Sequence, residues 1–280
     1  MSPRFYSLAI ASSCATVLSA PLVLRLLRNQ EMLDVPNARS SHSVVTPRGG
    51  GLACATGILA GSVVSAYDGK SVPAAILVPT LSLAVLGFAD DKVGLPASAR
   101  FSAQGAIGIA AGSSKGGAKG ALIGGVLFPV LVNAVNFMDG INGMTSSTLA
   151  AWGVCGCWGH SEIGERRVFV PASLALGSSL GFLPWNVPDA KMFLGDVGSY
   201  LFGGLVASAV LLEAVDGRSV TRAISTLSPL SLYFADTGFA LLGKVVRRQP
   251  LTGAHRNHVY QRLADLPHVE HWQVSACFEI

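Results

Sequence analysis

Asp90 and Asp91 stand side by side where a long apolar run ends, in Gly87–Leu95 (GFADDKVGL). Carboxylates at the end of a membrane-type helix are costly unless something neutralises them. Adjacent side chains on a helix point about 100° apart, so one acid can face a site while the other anchors it. Such a pair suits a metal ion, or one proton held between two acids. Asn133, Asn136 and Asp139 follow at i, i+3 spacing, with Asn142 beyond a glycine turn. The first three share one face if the helix continues. Four amide or carboxylate groups in ten residues, between two apolar runs, are poorly explained as packing. Asp196, in Phe193–Ser199 (FLGDVGS), opens another apolar run. The helix dipole stabilises a carboxylate there, so simple capping competes with a site role. His255, Arg256 and His258 lie in a basic stretch ending at Arg262. Guanidinium forks match phosphate oxygens, and positive charge placed only by topology is the alternative. The earliest cluster spans Met32–His42 and Thr46–Gly51 (TPRGGG). Its three glycines at a helix start can offer N–H groups to an anion, or serve only helix packing.

The rest of the chain must position these groups, and its composition says how. Of 280 residues, 20 are basic and 16 acidic, or 13% charged, where a soluble domain carries about a quarter. Half are hydrophobic before 32 glycines are added, and mean hydropathy is +0.50. One soluble core cannot bury that much apolar sequence, and a disordered chain is excluded for the same reason. The fold class expected is all-α, a polytopic membrane helix bundle. A net charge of +4 with no basic block beside stacking aromatics argues against nucleic acid as a partner. The five cysteines form no framework, and Cys155 and Cys157 sit in an apolar run as small packing residues.

Apolar segments run over 5–27, 49–67, 72–89, 101–112, 121–137, 143–159, 168–184, 197–214 and 221–243. That makes about nine transmembrane helices, with a glycine-rich loop over 112–120 and an uncleaved first span. Successive clusters are 42 residues apart from Arg48 to Asp90, 45 from Asp91 to Asn136, 60 to Asp196 and 59 to His255. Two crossings need about 40 residues plus a short loop, so each cluster is an even number of crossings from the next. All five are therefore expected on one membrane face. Twelve Lys or Arg on that side against eight on the other favour the cytoplasmic face, with the amino terminus outside.

One face thus carries Asp90, Asp91, Asn136, Asp139 and Asp196 beside Arg100, His255, Arg256 and His258. Oxygen donors in this mixture suit Mg²⁺, which takes one or two protein ligands plus substrate phosphates. A membrane site of this kind points to phosphoryl transfer between a nucleotide and a lipid. Asp236, about 12 Å below Lys244 along its helix, is expected to support the site from beneath. Glu213 is assigned no function.

At these clusters the chain resembles the polyprenyl-phosphate N-acetylhexosamine-1-phosphate transferases over about 31–262. The carriers are Asp90-Asp91, the run Asn133–Gly140 (NAVNFMDG), Phe193–Ser199 and His255–Leu263 (HRNHVYQRL). The last looks like the O-antigen-initiating branch of lipopolysaccharide biosynthesis, because it lacks the triple histidine of the muramoyl-pentapeptide branch. The resemblance implies that a UDP-N-acetylhexosamine and undecaprenyl phosphate give the lipid diphosphate sugar and UMP, at the inner membrane of a bacterium. It implies that Asp196 and Asn136 hold Mg²⁺, with Mn²⁺ as the alternative ion. Asp90 or Asp91 would orient or deprotonate the lipid phosphate, and Asp139 joins them as a catalytic carboxylate. Phe193 would stack on uracil with Asn142 near its edge. Arg100, Asn133, His255, Arg256 and His258 would contact substrate. A homodimer is admitted.

The chain departs from the pattern in two places. Pro96 stands where relatives usually have serine, which stiffens the loop before Arg100. Relatives continue for further spans, to ten or more helices, whereas 266–280 is too short and polar to cross. The expected division is a membrane transferase domain, 1–265, with a truncated or atypical tail, 266–280. A non-catalytic homologue is the rival reading, and a transporter a weaker one, since the carboxylates lie at span ends rather than at the midplane.

Overall fold

The computed structural model describes residues 3–36, 42–67, 71–159, 166–215, 219–248, 258–264, 266 and 269–278. The elements are α1 (Pro3–Asn29), β1 (Leu33–Asp34), β2 (Thr46–Pro47), α2 (Gly51–Tyr67), α3 (Ala74–Val93) and α4 (Ala97–Met138). Then come α5 (Met144–Gly159), α6 (Arg166–Asn186), α7 (Gly195–Val215), α8 (Val220–Leu227), α9 (Ser231–Val246), α10 (Val259–Ala264) and α11 (His271–Cys277). Five of these helices are long and apolar enough to cross a bilayer. The protein is a polytopic helical membrane protein.

Helix α4 contains 42 residues, enough for about 63 Å if straight. It is not straight. Gly116 and Gly117 leave helical geometry, Gly117 with φ of 55°, and the chain reverses there. The two arms lie back to back: a Cβ at Gly108 or Gly112 would collide with the carbonyl of Gly124 or Gly120. Two Gly-x-x-x-Gly faces thus let the backbones touch, which drives helix pairing where lipid offers no hydrophobic effect. The loop expected over 112–120 is therefore only a two-residue reversal inside a helical hairpin. With α4 counted as two arms and α8–α9 as one, the described residues hold nine apolar helical arms. The arm expected over 221–243 is broken by a 3₁₀ turn at Ser228–Leu230, where Pro229 cannot donate the helical hydrogen bond.

Helix α7 is the hub. Residues 195–213 are all buried, as expected of a helix apolar on every side. It packs against α2, α3, α4, α6 and α8. A Cβ at Gly87 would meet the backbone of Asp196 and Val197, so glycine there lets α3 close onto the start of α7. Helix α3 stops at Gly94, which adopts φ of 64° and returns its N–H to the Asp90 carbonyl. Pro96 then starts α4 with φ of −58°, the angle its ring imposes. The departure at Pro96 thus leaves Arg100 in the first turn, directed by a stiffened entry.

Candidate active site

The first four clusters, with Gln261 of the fifth, meet at one end of the bundle, around a cavity of about 700 Å³. Asp90, Asp91, Arg100, Asn136, Asp139, Asn142, Phe193 and Asp196 all line it. The even spacing of the clusters thus corresponds to a single face.

The two adjacent aspartates divide their work, and both are heavily engaged. Asp91 reaches across to α7. Its Oδ1 accepts the Asp196 N–H at 2.9 Å and its Oδ2 the Val197 N–H at 2.9 Å. Those N–H groups are the orphan donors of the first turn of α7. The Asp91 side chain is 0% exposed, and Arg48 Nε lies 2.7 Å from Oδ1. Asp90 accepts the Leu95 N–H at 2.9 Å, the Tyr200 hydroxyl at 2.8 Å and Arg100 Nη1 at 3.1 Å. Each carboxylate therefore braces an arginine, and Asp91 also holds the helix that carries Asp196.

Asp196 faces the cavity. Its Oδ1 accepts Asn136 Nδ2 at 2.7 Å and pairs with Arg48 Nη2 at 2.8 Å. Asn136 also donates to the Ser199 hydroxyl at 3.0 Å. Asp196 does not cap its own helix, because Asp91 does so from outside. Arg48 spans both carboxylates. Burial opposes its charge, but Asp196 and then Asp91 outweigh this and raise its pKa. Asp139, on the loop after α4, has its pKa pushed up to about 7, chiefly by burial; a hydrogen bond with Thr145 and then Arg48 oppose the shift, and Asp196 and Asp91 add to it. Among the described residues no three His, Cys, Asp or Glu side chains converge to hold an ion. The Asp196–Asn136 pair offers instead the small oxygen-donor set that suits an ion shared with substrate phosphates.

The aromatic Phe193 is set by backbone pairing. Its N–H donates to the Pro47 carbonyl, and its own carbonyl accepts the N–H groups of Gly49 and Gly50. Gly51 donates to Leu194 in the same way. The N–H groups of the triple glycine are thus spent on chain pairing rather than offered to an anion. The short β1–β2 ladder, with Asp34 opposite Thr46, brings His42 edge-on to Phe193 at 4.7 Å between ring centres. Asn142 donates to the Pro188 carbonyl at 2.9 Å.

Two expected contacts are not brought to the cavity. Asn133 donates to Gln104 at 2.6 Å and to the Pro129 carbonyl at 2.7 Å, tying the arms of the α4 hairpin. A polar side chain a turn below the site satisfies itself between helices when it cannot reach water. His258 is 3% exposed, with Nδ1 3.5 Å from Asp236 Oδ2. Asp236 Oδ1 accepts the Val259 N–H at 2.8 Å, so this acid pins the start of α10 from within the bundle. His255 and Arg256 lie outside the described residues. Sequence reasoning passed over Arg48, Tyr200, His42, Gln261 and His271 as site residues. Arg48 and His42 carried a signal as members of the earliest cluster, and Gln261 as part of His255–Leu263. Tyr200 reads as an ordinary apolar-helix residue until Asp90 is found 2.8 Å from its hydroxyl.

At one end of this helical membrane bundle, carboxylates and partly exposed arginines thus meet in one cavity, an arrangement able to hold a charged substrate. The family model for glycosyl transferase family 4 matches residues 73–214. A Bacillus subtilis (strain 168) protein named "Probable undecaprenyl-phosphate N-acetylglucosaminyl 1-phosphate transferase" is 27% identical over 91% of this chain and 75% of its own. A Thermotoga maritima undecaprenyl-phosphate alpha-N-acetylglucosaminyl 1-phosphate transferase is 30% identical over 84% and 75%. A Symbiobacterium thermophilum phospho-N-acetylmuramoyl-pentapeptide-transferase is 28% identical over 82% and 80%. The chain belongs to glycosyl transferase family 4, and it is a membrane-embedded transferase enzyme.

Proposed function

We propose that the protein transfers N-acetylhexosamine 1-phosphate from a UDP-sugar to a polyprenyl phosphate, releasing UMP and starting a lipid-linked envelope glycan. The observation that carries this is the cavity where Asp196, Asn136 and Asp139 meet Arg48 and Arg100 at the end of an apolar bundle. Acidic and basic groups side by side suit a diphosphate that arrives with a divalent cation. Names of relatives point to N-acetylglucosamine as the first sugar to try. The O-antigen assignment rests on His255–Leu263 and stays a proposal, since muramoyl-pentapeptide transferases match as well.

In this reading a lipid phosphate oxygen attacks the sugar-bearing phosphorus, and the bond to the UMP oxygen breaks. Arg100, held by Asp90 and through it by Tyr200, presents its fork to a phosphate. Arg48 lies between Asp91 and Asp196 and meets charge on the donor diphosphate. Asp139 accepts the remaining proton of the lipid phosphate, because it lines the cavity without the ion pair to an arginine that holds Asp90 and Asp91. Asp196 and Asn136 would hold Mg²⁺, which when bound neutralises charge developing on the departing UMP. Phe193 forms the flat wall for uracil. The direct test is Mg²⁺-dependent release of UMP from UDP-N-acetylglucosamine with undecaprenyl phosphate in detergent. No UMP, with either that donor or UDP-N-acetylmuramoyl-pentapeptide, would refute the reading.

The pH profile follows from Asp139. Burial raises its pKa, so the basic form is present only above about 7. The value of kcat/KM, which reports the free enzyme, should rise with pH through that region. Asp139→Asn should remove this limb; a limb that survives in the variant would assign the proton to another group.

The cavity is proposed to face the cytoplasm, where nucleotide sugars are made. In a cysteine-free background, Ser98→Cys, on the cavity side, should react with an impermeant maleimide only in inverted vesicles. Ser71→Cys, at the opposite end of α3, should react only in intact cells. The reverse pattern would turn the protein over in the membrane.

A further inference from the structure

The described parts of the C-terminal segment turn back to the site loop between α4 and α5. That loop carries Asp139 and Asn142 and has no regular ladder of its own, so its buried backbone groups need partners from elsewhere. Tyr260 Oη donates to the Phe137 carbonyl at 3.1 Å. Ser275 Oγ lies 2.8 Å from the Asn142 carbonyl and 3.1 Å from the His271 carbonyl one turn back, and its single hydroxyl hydrogen serves the shorter contact. Tyr233 Oη donates to the Met144 carbonyl at 2.8 Å, and Asn186 Oδ1 accepts the Gly143 N–H at 2.6 Å. Ser275 is 2% exposed, so water does not compete for its bond. His271 lies one turn before Ser275, on the same face of α11, and lines the cavity beside Asn142 and Gln261.

The cavity lining therefore falls into two sets. Arg48 with Asp91 and Asp196, and Arg100 with Asp90, form a charged set of ion pairs. Asn142, Asn186, Gln261 and His271, from the α4–α5 loop, α6, α10 and α11, add amide and imidazole groups to the lining, with both ends of the Asn186 amide spent on Gly143 and Met192. Amide and imidazole groups match hydroxyl and amide functions rather than a diphosphate.

We propose that α11 is part of the transferase site, with His271 contacting the uncharged, hydroxyl- and amide-bearing part of the donor and Ser275 acting as a positioning residue for the Asn142 loop. The His271 contact rests on the UDP-sugar reading above; the Ser275 clamp does not. The step itself is unchanged: these residues hold the donor, and no bond forms or breaks on them.

The test uses the full chain in detergent. His271→Ala should raise KM for UDP-N-acetylglucosamine about tenfold, the size of one lost hydrogen bond. KM for undecaprenyl phosphate should not move, and His271→Gln, which keeps an N–H donor, should recover most of the loss. An unchanged donor KM in folded His271→Ala, or a rise in the lipid KM instead, overturns the contact. For the clamp, amide hydrogen exchange of residues 140–146 is followed without substrate. It should be about tenfold faster in Ser275→Ala and near normal in Ser275→Thr, which keeps the hydroxyl. Equal exchange in Ser275→Ala and the parent chain overturns the clamp. If the parent chain turns over no UDP-sugar, the transferase reading and the His271 contact fall together, while the exchange result still decides Ser275.

Discussion

Asp196→Asn is expected to reduce sugar-phosphate transfer by on the order of 10²–10³-fold, the range seen when one preorganised electrostatic group is removed. The substitution keeps the size of the side chain and one oxygen for Asn136, 2.7 Å away in the parent. It removes the charge that meets Arg48 and, in the proposed mechanism, the anionic donor to Mg²⁺. The fold should survive, because the first N–H groups of α7 are accepted by Asp91 and not by Asp196. Asp139→Asn is the matched comparison and should lose the pH limb while keeping the Mg²⁺ requirement. The assay is radiolabelled sugar-1-phosphate transfer under Mg²⁺ titration, with chelation by EDTA expected to silence the parent chain. Near-normal activity and an unchanged Mg²⁺ dependence in Asp196→Asn would move the ion to Asp139, since Asp90 and Asp91 have their oxygens engaged by protein donors.

Asp91→Ala should instead damage the protein itself. The Asp91 side chain is fully buried and accepts two backbone N–H groups while pairing with Arg48. Each buried backbone N–H left without its acceptor costs about 1–3 kcal/mol, while Arg48, its side chain 38% exposed, keeps Asp196 and solvent. Two orphan donors at the start of α7 and an arginine with one carboxylate fewer would remain. Activity should vanish together with a large fall in the thermal midpoint measured in detergent. Asp91→Asn keeps one acceptor and should fall between the parent and the alanine variant in stability. A catalytic base with no bracing role would behave differently: Asp91→Ala would then be inactive but as stable as the parent. That outcome would return Asp91 to the chemistry and remove it from the scaffold.

Much of this arrangement was legible before any coordinates. A bilayer imposes a length on every apolar crossing, so the intervals between Arg48, Asp90, Asn136 and Asp196 already placed them on one face. The charge content and hydropathy required a membrane bundle, whereas the helix face expected to carry Asn136 and Asp139 together stops short, because α4 ends at Met138 and Asp139 reaches the cavity from the loop beyond. The Gly-rich stretch is legible as an interruption in the sequence, but its extent is not. Only the pairing of Gly108 with Gly124 and Gly112 with Gly120 shows that helix runs up to a two-residue reversal.

What each polar group does was decided by the tertiary structure. Periodicity says that Asp90 and Asp91 point in different directions, but not which way. The answer depends on Arg48, Tyr200 and the start of α7, which lie as far as 110 residues away in the chain. Asn133 has the same spacing signal as Asn136, yet one turn of helix leaves it opposite Gln104 instead of the cavity. His258 shares a motif with substrate-facing candidates, yet Asp236 draws it into the bundle. Sequence determined the fold class and the common face of the clusters because length and hydropathy are local properties that a bilayer reads directly. The division between groups that face substrate and groups that brace them is set by which partners long-range packing supplies, since in a low-dielectric interior every charge must be paired with whatever the fold brings within reach.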